Sequence, residues 1–193
     1  MKLNLLGVLF VLLTATAFSQ AGLQQFNSER IKRTKDGMLI LGSWAVANIA
    51  VGTIGLSTAR GETRYFHQMS LIWGSVNLAI GGSALLGLRK KKSDLSLSQS
   101  MLNQTAIEKT FLINGGLDLV YLAAGWYCFE KSKNVSDSDK YRGYGKSLFL
   151  QGGGLLLFDV IMYIGHVKHG RFLYKALEKL QFSGNRVGLV WKL

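Results

Sequence analysis

Four stretches of 20 residues, Met38–Ser57, Met69–Leu88, Thr110–Phe129 and Leu148–Val167, contain no lysine or arginine, and only the last two contain an acid. A helix of that length spans about 30 Å, the thickness of a bilayer's hydrocarbon core. A soluble helical bundle would carry polar stripes along such segments, and these lack them. The pattern predicts an all-α membrane protein with four antiparallel transmembrane helices in an up-down bundle. The chain has no proline, so no span has a proline kink, which disfavours a transporter built on proline-broken helices.

The remaining residues divide around this 37–167 domain. Residues 1–19 have Lys2, an apolar run over Leu5–Leu13 and small residues at Ala17 and Ser19, the pattern of a removable signal peptide. An uncleaved fifth membrane segment is the alternative, for which the run is short. Residues 20–36 read as a pre-membrane helical segment opened by Asn27-Ser28-Glu29. Residues 168–193 form a tail in which "RFLYKALEKLQF" places Phe172, Leu173, Ala176, Leu177 and Leu180 on one face. That is a basic amphipathic helix expected at the headgroup layer. The loop "KSKNVSDSDKYRGYG" has turn chemistry and is expected to be mobile.

Charge gives two opposed statements about orientation. One face carries 15 basic residues and the other seven, and the positive-inside tendency puts the richer face in the cytoplasm. An export signal puts that same face outside. The expected location is the bacterial cytoplasmic (inner) membrane, multi-pass, with the sense left open.

Each span places a polar group near its centre: Asn48, Asn77, Asp118 and Asp159. Counted from the face where the first span begins, all four fall within about three residues, or ~4.5 Å of rise, so they are expected to meet at the midplane. The frame Trp-x-x-x-Asn-x-Ala-x-Gly occurs twice, as Trp44/Asn48/Gly52 and Trp73/Asn77/Gly81. Its i, i+4, i+8 spacing shares one helix face, so it reads as an interhelical adhesive joining the first two helices. Gly115, Gly116, Gly152, Gly153 and Gly154 are expected to thin the third and fourth helices for close packing.

The two acids are costly, about 2.5–3.5 kcal/mol each at a helix centre. The fourth span offsets this with ten strongly apolar residues before Val167, the third with only eight, so the third should need its neighbours to insert well. No basic residue lies at the acids' depth. Three states are open: a protonated acid bonded to Asn48 or Asn77, a pair sharing one proton, or an ionised pair holding a cation or water. Tyr121 follows Asp118 on its face, and Tyr163 and His166 follow Asp159. These outline a possible proton path, although a tyrosine and histidine near a helix end also fit an aromatic belt.

Little other chemistry is legible. Cys128 is the single cysteine, so neither an intramolecular disulfide nor a cysteine-only zinc site forms. His166 and His169 lack a third metal ligand. "GYGKS" at 143–147 has Lys140 where a phosphate loop needs its first glycine. The expectation is therefore no catalytic residues, no metal and no cofactor. The net charge of +12 lies on both faces and fits anionic lipid headgroups, not nucleic acid.

The runs "FNSERIKRTKDGMLILGSWAVANIAVG" (Phe26–Gly52), "WGSVNLAIGG" and "GGLDLVYLAAG" resemble an uncharacterised family of small bacterial four-helix membrane proteins, a domain of unknown function. The resemblance covers most of the mature chain and implies an export-type N-terminus but no activity. The leading expectation is a non-enzymatic structural or accessory membrane component, whose partners are the lipid bilayer and a second copy or a membrane protein. The alternative is a small proton- or cation-conducting or coupling protein using Asp118 and Asp159.

Overall fold

The computed structural model describes four helices, α1 (Leu5–Thr58), α2 (Gly61–Leu88), α3 (Leu97–Ser132) and α4 (Ser138–Glu178), and two short strands, β1 (Leu180–Ser183) and β2 (Arg186–Leu189). Side chains are described for residues 20–174. The side chains of residues 1–19, which the signal-peptide reading concerns, lie outside the described residues.

Local chemistry sets the helix boundaries. Only Ala59 and Arg60 separate α1 from α2, and the reversal is completed by Gly61 at φ +54°, a left-handed conformation that costs glycine nothing. Helix α3 opens on a reciprocal cap in which the Gln99 amide N–H donates to Ser96 Oγ (3.3 Å) and the Ser96 N–H donates to Gln99 Oε1 (3.2 Å). Asp139 sits in the first turn of α4, where the helix dipole favours a negative charge. With that start and no proline, residues 138–147 are helical, so the loop expected over 131–145 shrinks to a short turn after Ser132.

The tail departs from expectation too. Helix α4 runs unbroken to Glu178 instead of ending near Val167 and restarting as a separate amphipathic helix. The segment after it pairs as an antiparallel hairpin, Leu180 opposite Leu189 and Ser183 opposite Arg186. Within the described part of that stretch, Leu173 is buried and Phe172 is 61 % exposed. The side chains from Lys175 onward lie outside the described residues.

Gln20–Thr58, Gly61–Leu88 and Ser138–Tyr174 are long and apolar enough to cross a membrane. Helix α3 is as long but less apolar, because its central stretch carries Asn114, Asp118, Tyr121, Trp126 and Tyr127. The burial pattern inverts that of a soluble protein. Ile40, Ile54, Ile113, Trp126 and Leu157 are more than 60 % exposed, while Asn27, Ser100, Gln104, Ser147, Gln151 and His166 are fully buried. An exterior this apolar is stable against lipid tails and unfavourable in water.

Glycines bring the backbones together. A Cβ on Gly74 would lie 3.0 Å from the Ala45 carbonyl oxygen, one on Gly52 3.0 Å from the Leu71 nitrogen, and one on Gly81 3.7 Å from the Gly42 nitrogen. Contacts thus climb α2 as they descend α1. Between α3 and α4, a Cβ on Gly145 would lie 3.0 Å from the Gly125 carbonyl oxygen. Helix α2 also packs against α4, through the Ser70–Ser147 hydroxyl pair (2.9 Å), Tyr144 donating to Gln68 (3.1 Å) and the Lys146–Glu62 ion pair. Successive helices α2 and α3, by contrast, bring no Cα within 8 Å of each other. Helix α4 lies between its neighbours as the central member, and a gap separates α2 from α3.

Candidate functional site

The gap between α2 and α3 deepens into a chamber of about 240 Å³, to which all four helices contribute. Asn77, Asp118 and Asp159 line it and are all at least 95 % buried. Asp118 and Asp159 approach one another there closely enough for their carboxyls to interact. They do so across an offset. Gly152 lies against the Asp118 carbonyl (3.2 Å to a Cβ built on it), and Asp159 is seven residues further along α4, about 10 Å of rise. Each side chain tilts toward the N-terminus of its own helix, and on oppositely directed helices the two acids therefore lean toward one another.

The remaining walls are apolar and aromatic. Trp73 of α2 and Tyr121 of α3 place their ring centroids 4.5 Å apart, bridging the gap that the backbones leave. Asn77 Nδ2, Asp118 Oδ2 and Asp159 Oδ1 are buried without a protein hydrogen-bond partner. No lysine or arginine lines the chamber. Unpaired buried polar atoms cost about 1–3 kcal/mol each, and three of them line this one chamber.

Asn48 is not in this group. Its Nδ2 donates to the Trp44 carbonyl (2.8 Å), and its Oδ1 accepts from Gln151 Nε2 (2.5 Å). Gln151 Oε1 in turn accepts from the Trp44 indole N–H (3.1 Å). The expected midplane layer thus divides in two. Asn48 joins Gln151 and Trp44 in a closed α1–α4 clasp, and Asn77 joins the acids. The face of α2 that meets Asn48 is Gly74, where an added Cβ would lie 3.1 Å from that of Asn48, so the repeated frame does not join Asn48 to Asn77. Of the packing glycines, Gly52, Gly81, Gly152 and Gly154 do abut a neighbouring helix, Gly154 beneath the Trp44 ring. Gly115 meets only Leu156, and Gly116 and Gly153 face open space.

The model of a family of unknown function, DUF6992, matches residues 40–160. The chain belongs to this family. No curated protein and no solved structure matches it. The DUF6992 segment contains both halves of the divided polar layer, the Asn48–Gln151 clasp and the Asn77/Asp118/Asp159 chamber.

A second polar cluster, absent from the expectations drawn from sequence, joins residues on either side of the DUF6992 segment to Ser93, Ser100, Gln104 and Glu108 within it. At one end of the molecule Asn27 Nδ2 donates to Ser100 Oγ (2.8 Å) and the Ser93 carbonyl (3.1 Å), and Arg30 donates to the Ser100 carbonyl (3.0 Å). Gln104 Nε2 donates to the His166 carbonyl (2.7 Å) and to Glu108 (2.8 Å), which also accepts from Tyr174 (3.2 Å). The junction fastens the pre-membrane turns of α1 to the start of α3 and the end of α4. His169 stacks on Phe26 with centroids 4.1 Å apart and its Nε2 lies 3.0 Å from the Phe26 carbonyl. Burial pushes its imidazole below the ordinary 6.5. A signal existed, since Asn27, Arg30 and Thr34 repeat at i, i+3, i+7 on one face of an otherwise charged segment.

The path through Tyr163 takes a different course. Tyr163 packs against the apolar cluster of Met38, Leu41, Phe111, Leu155 and Met162, and among the described residues it hydrogen-bonds neither Asp159 nor His166. His166 instead stacks on Phe111 (5.5 Å) and approaches the Thr34 hydroxyl with its Nε2 (3.4 Å). Thr34 itself lines the chamber. Thr34 and His166 are thus the polar groups between the acids and the junction. Among the described residues no group of three or more histidine, cysteine or acidic side chains is placed to hold a metal ion.

Proposed function

We propose that this chain is a four-span protein of the bacterial cytoplasmic membrane, an antiparallel bundle whose acid pair takes up and releases a proton or cation. Residues 1–19 serve as its removable signal, and the C-terminal end of α4 with the tail lies at the headgroup layer. Helix α3 supplies the third of the four spans, carried into the bilayer by its contact with α4. The observation that carries the reading is the burial of Asp118 and Asp159 in one chamber whose described lining holds no lysine or arginine. Intramembrane acids without a counter-charge are otherwise expensive. The Thr34–His166 pair supplies a polar step from the chamber to one surface.

A structural role for the polar layer is favoured by a separate observation, the closed Trp44–Asn48–Gln151 clasp. In this reading the two roles are divided: the clasp holds α1 to α4, and the chamber works. The test is proton flux in proteoliposomes. The parent is expected to dissipate an imposed pH gradient, and Asp118→Asn and Asp159→Asn are each expected to abolish that flux. Equal flux in parent and both variants would leave the chain a structural component.

A further inference from the structure

We infer that the chamber is a binding site for a small organic ammonium with an apolar body, reached sideways from the lipid between α2 and α3. The inference rests on the proposal that the acid pair is ionisable and deepens it by naming the ligand class.

The composition of the walls separates an organic ammonium from an inorganic ion. A hard divalent cation wants six or more oxygen ligands around it. Here only Asp118 and Asp159 can carry charge, the other oxygens belong to neutral side chains such as Asn77, Asn114 and Thr110, and most of the lining, Phe111, Leu155 and Phe158 included, is apolar. An ammonium head needs acceptors on one side only, and a hydrocarbon body is satisfied by the other. The unpartnered carboxyl oxygens of Asp118 and Asp159 would accept from the ammonium in charge-assisted bonds. The Trp73 and Tyr121 rings line the same chamber, and an aromatic ring attracts a cation within about 6 Å of its centroid.

Size and access narrow the class. At about 240 Å³ the chamber is smaller than the ~300–1,000 Å³ of sites for drug-sized ligands, so the guest is a simple amine. Val76 and Ile80 of α2 and Leu117 of α3 line the chamber and are also 40, 50 and 47 % exposed on the outer surface. Its rim therefore opens onto the lipid-facing exterior, in the gap where no α2 Cα approaches α3 within 8 Å. An amphiphilic amine partitions into the bilayer and meets this opening directly.

The experiment is calorimetric titration of the detergent-solubilised full chain at pH 8 with benzylammonium, and with benzyl alcohol as an uncharged molecule of the same shape. Saturable binding of benzylammonium is expected, with benzyl alcohol at least about tenfold weaker. Asp118→Asn/Asp159→Asn should abolish the preference for the cation, and Trp73→Ala should weaken it about threefold to tenfold. Should the double variant fail to fold, Val76→Phe with Leu117→Phe narrows the rim without touching the acids, and is expected to slow or weaken uptake. Equal affinity for amine and alcohol, or a preference that survives loss of both acids, overturns the ligand class. If the parent's melting temperature still depends on pH through the acid pair, the proton- or cation-site reading stands without it. If that dependence is absent as well, both fall.

Discussion

Gln151 of α4 donates its amide to the Asn48 side chain at 2.5 Å and holds the Trp44 indole with its own oxygen. Two buried amides and a half-buried indole thereby satisfy one another, and they tie α1 to a helix distant in sequence.

Replacing Gln151 by Leu leaves the Asn48 oxygen and the Trp44 N–H without their partners. A loss of about 1–2 kcal/mol is expected, toward the upper end of interhelical bonds in membranes. It should be read as a lower melting temperature in detergent. An unchanged melting temperature would mean that the clasp adds nothing to stability.

Two glycines of similar sequence context should respond in opposite ways. Gly74→Ala drives a methyl to 3.0 Å from the Ala45 carbonyl and 2.9 Å from Ile49, and should destabilise by about 1–3 kcal/mol. Gly153 has nothing within 4 Å, so Gly153→Ala should stabilise α4 by about 0.5–1 kcal/mol. Parallel melts of the two variants check the contrast.

The polar junction should weaken in acid. The folded-state pKa of His169 lies below its ordinary value, so its contribution to stability is present above about pH 6.5 and lost as pH falls through the folded value. The bond to the Phe26 carbonyl and Glu29, 3.8 Å from Nδ1, oppose the effect, and Arg33 and Arg30 reinforce it. Parent and His169→Gln should converge in melting temperature between pH 7.5 and pH 5. Gln retains an N–H for the Phe26 carbonyl, which separates the titration from the loss of the bond.

The sequence carried the helical architecture because twenty-residue gaps in the charge are dictated by the bilayer itself. It carried the acids because an unpaired carboxyl in such a gap is costly wherever it sits. It could not carry the pairing of Asn48 with Gln151. Equal counting depth places Asn48 beside Asn77, whereas the offset of α4 brings Gln151 to that level and turns Asn77 into the chamber. Nor does linear order show that α4 packs between α2 and α3, and the gap that makes the chamber follows from that placement. Asn27 and Arg30 left only the faint i, i+3, i+7 repeat with Thr34. Gln104 lies in a polar stretch where a single polar residue does not stand out, so only folding shows that its side chain points inward.

The central claim is that Asp118 and Asp159 titrate as a pair inside the bundle. The most direct measurement is the melting temperature of the detergent-solubilised parent, Asp118→Asn, Asp159→Asn and the double variant from pH 5 to pH 9. Asn imitates a protonated Asp, and the histidine junction is common to all four chains and cancels in the comparison. The expected result is a pH-dependent difference between the parent and the double variant. A parent that melts in parallel with the double variant at every pH would contradict the account, and the acids would be neutral packing groups.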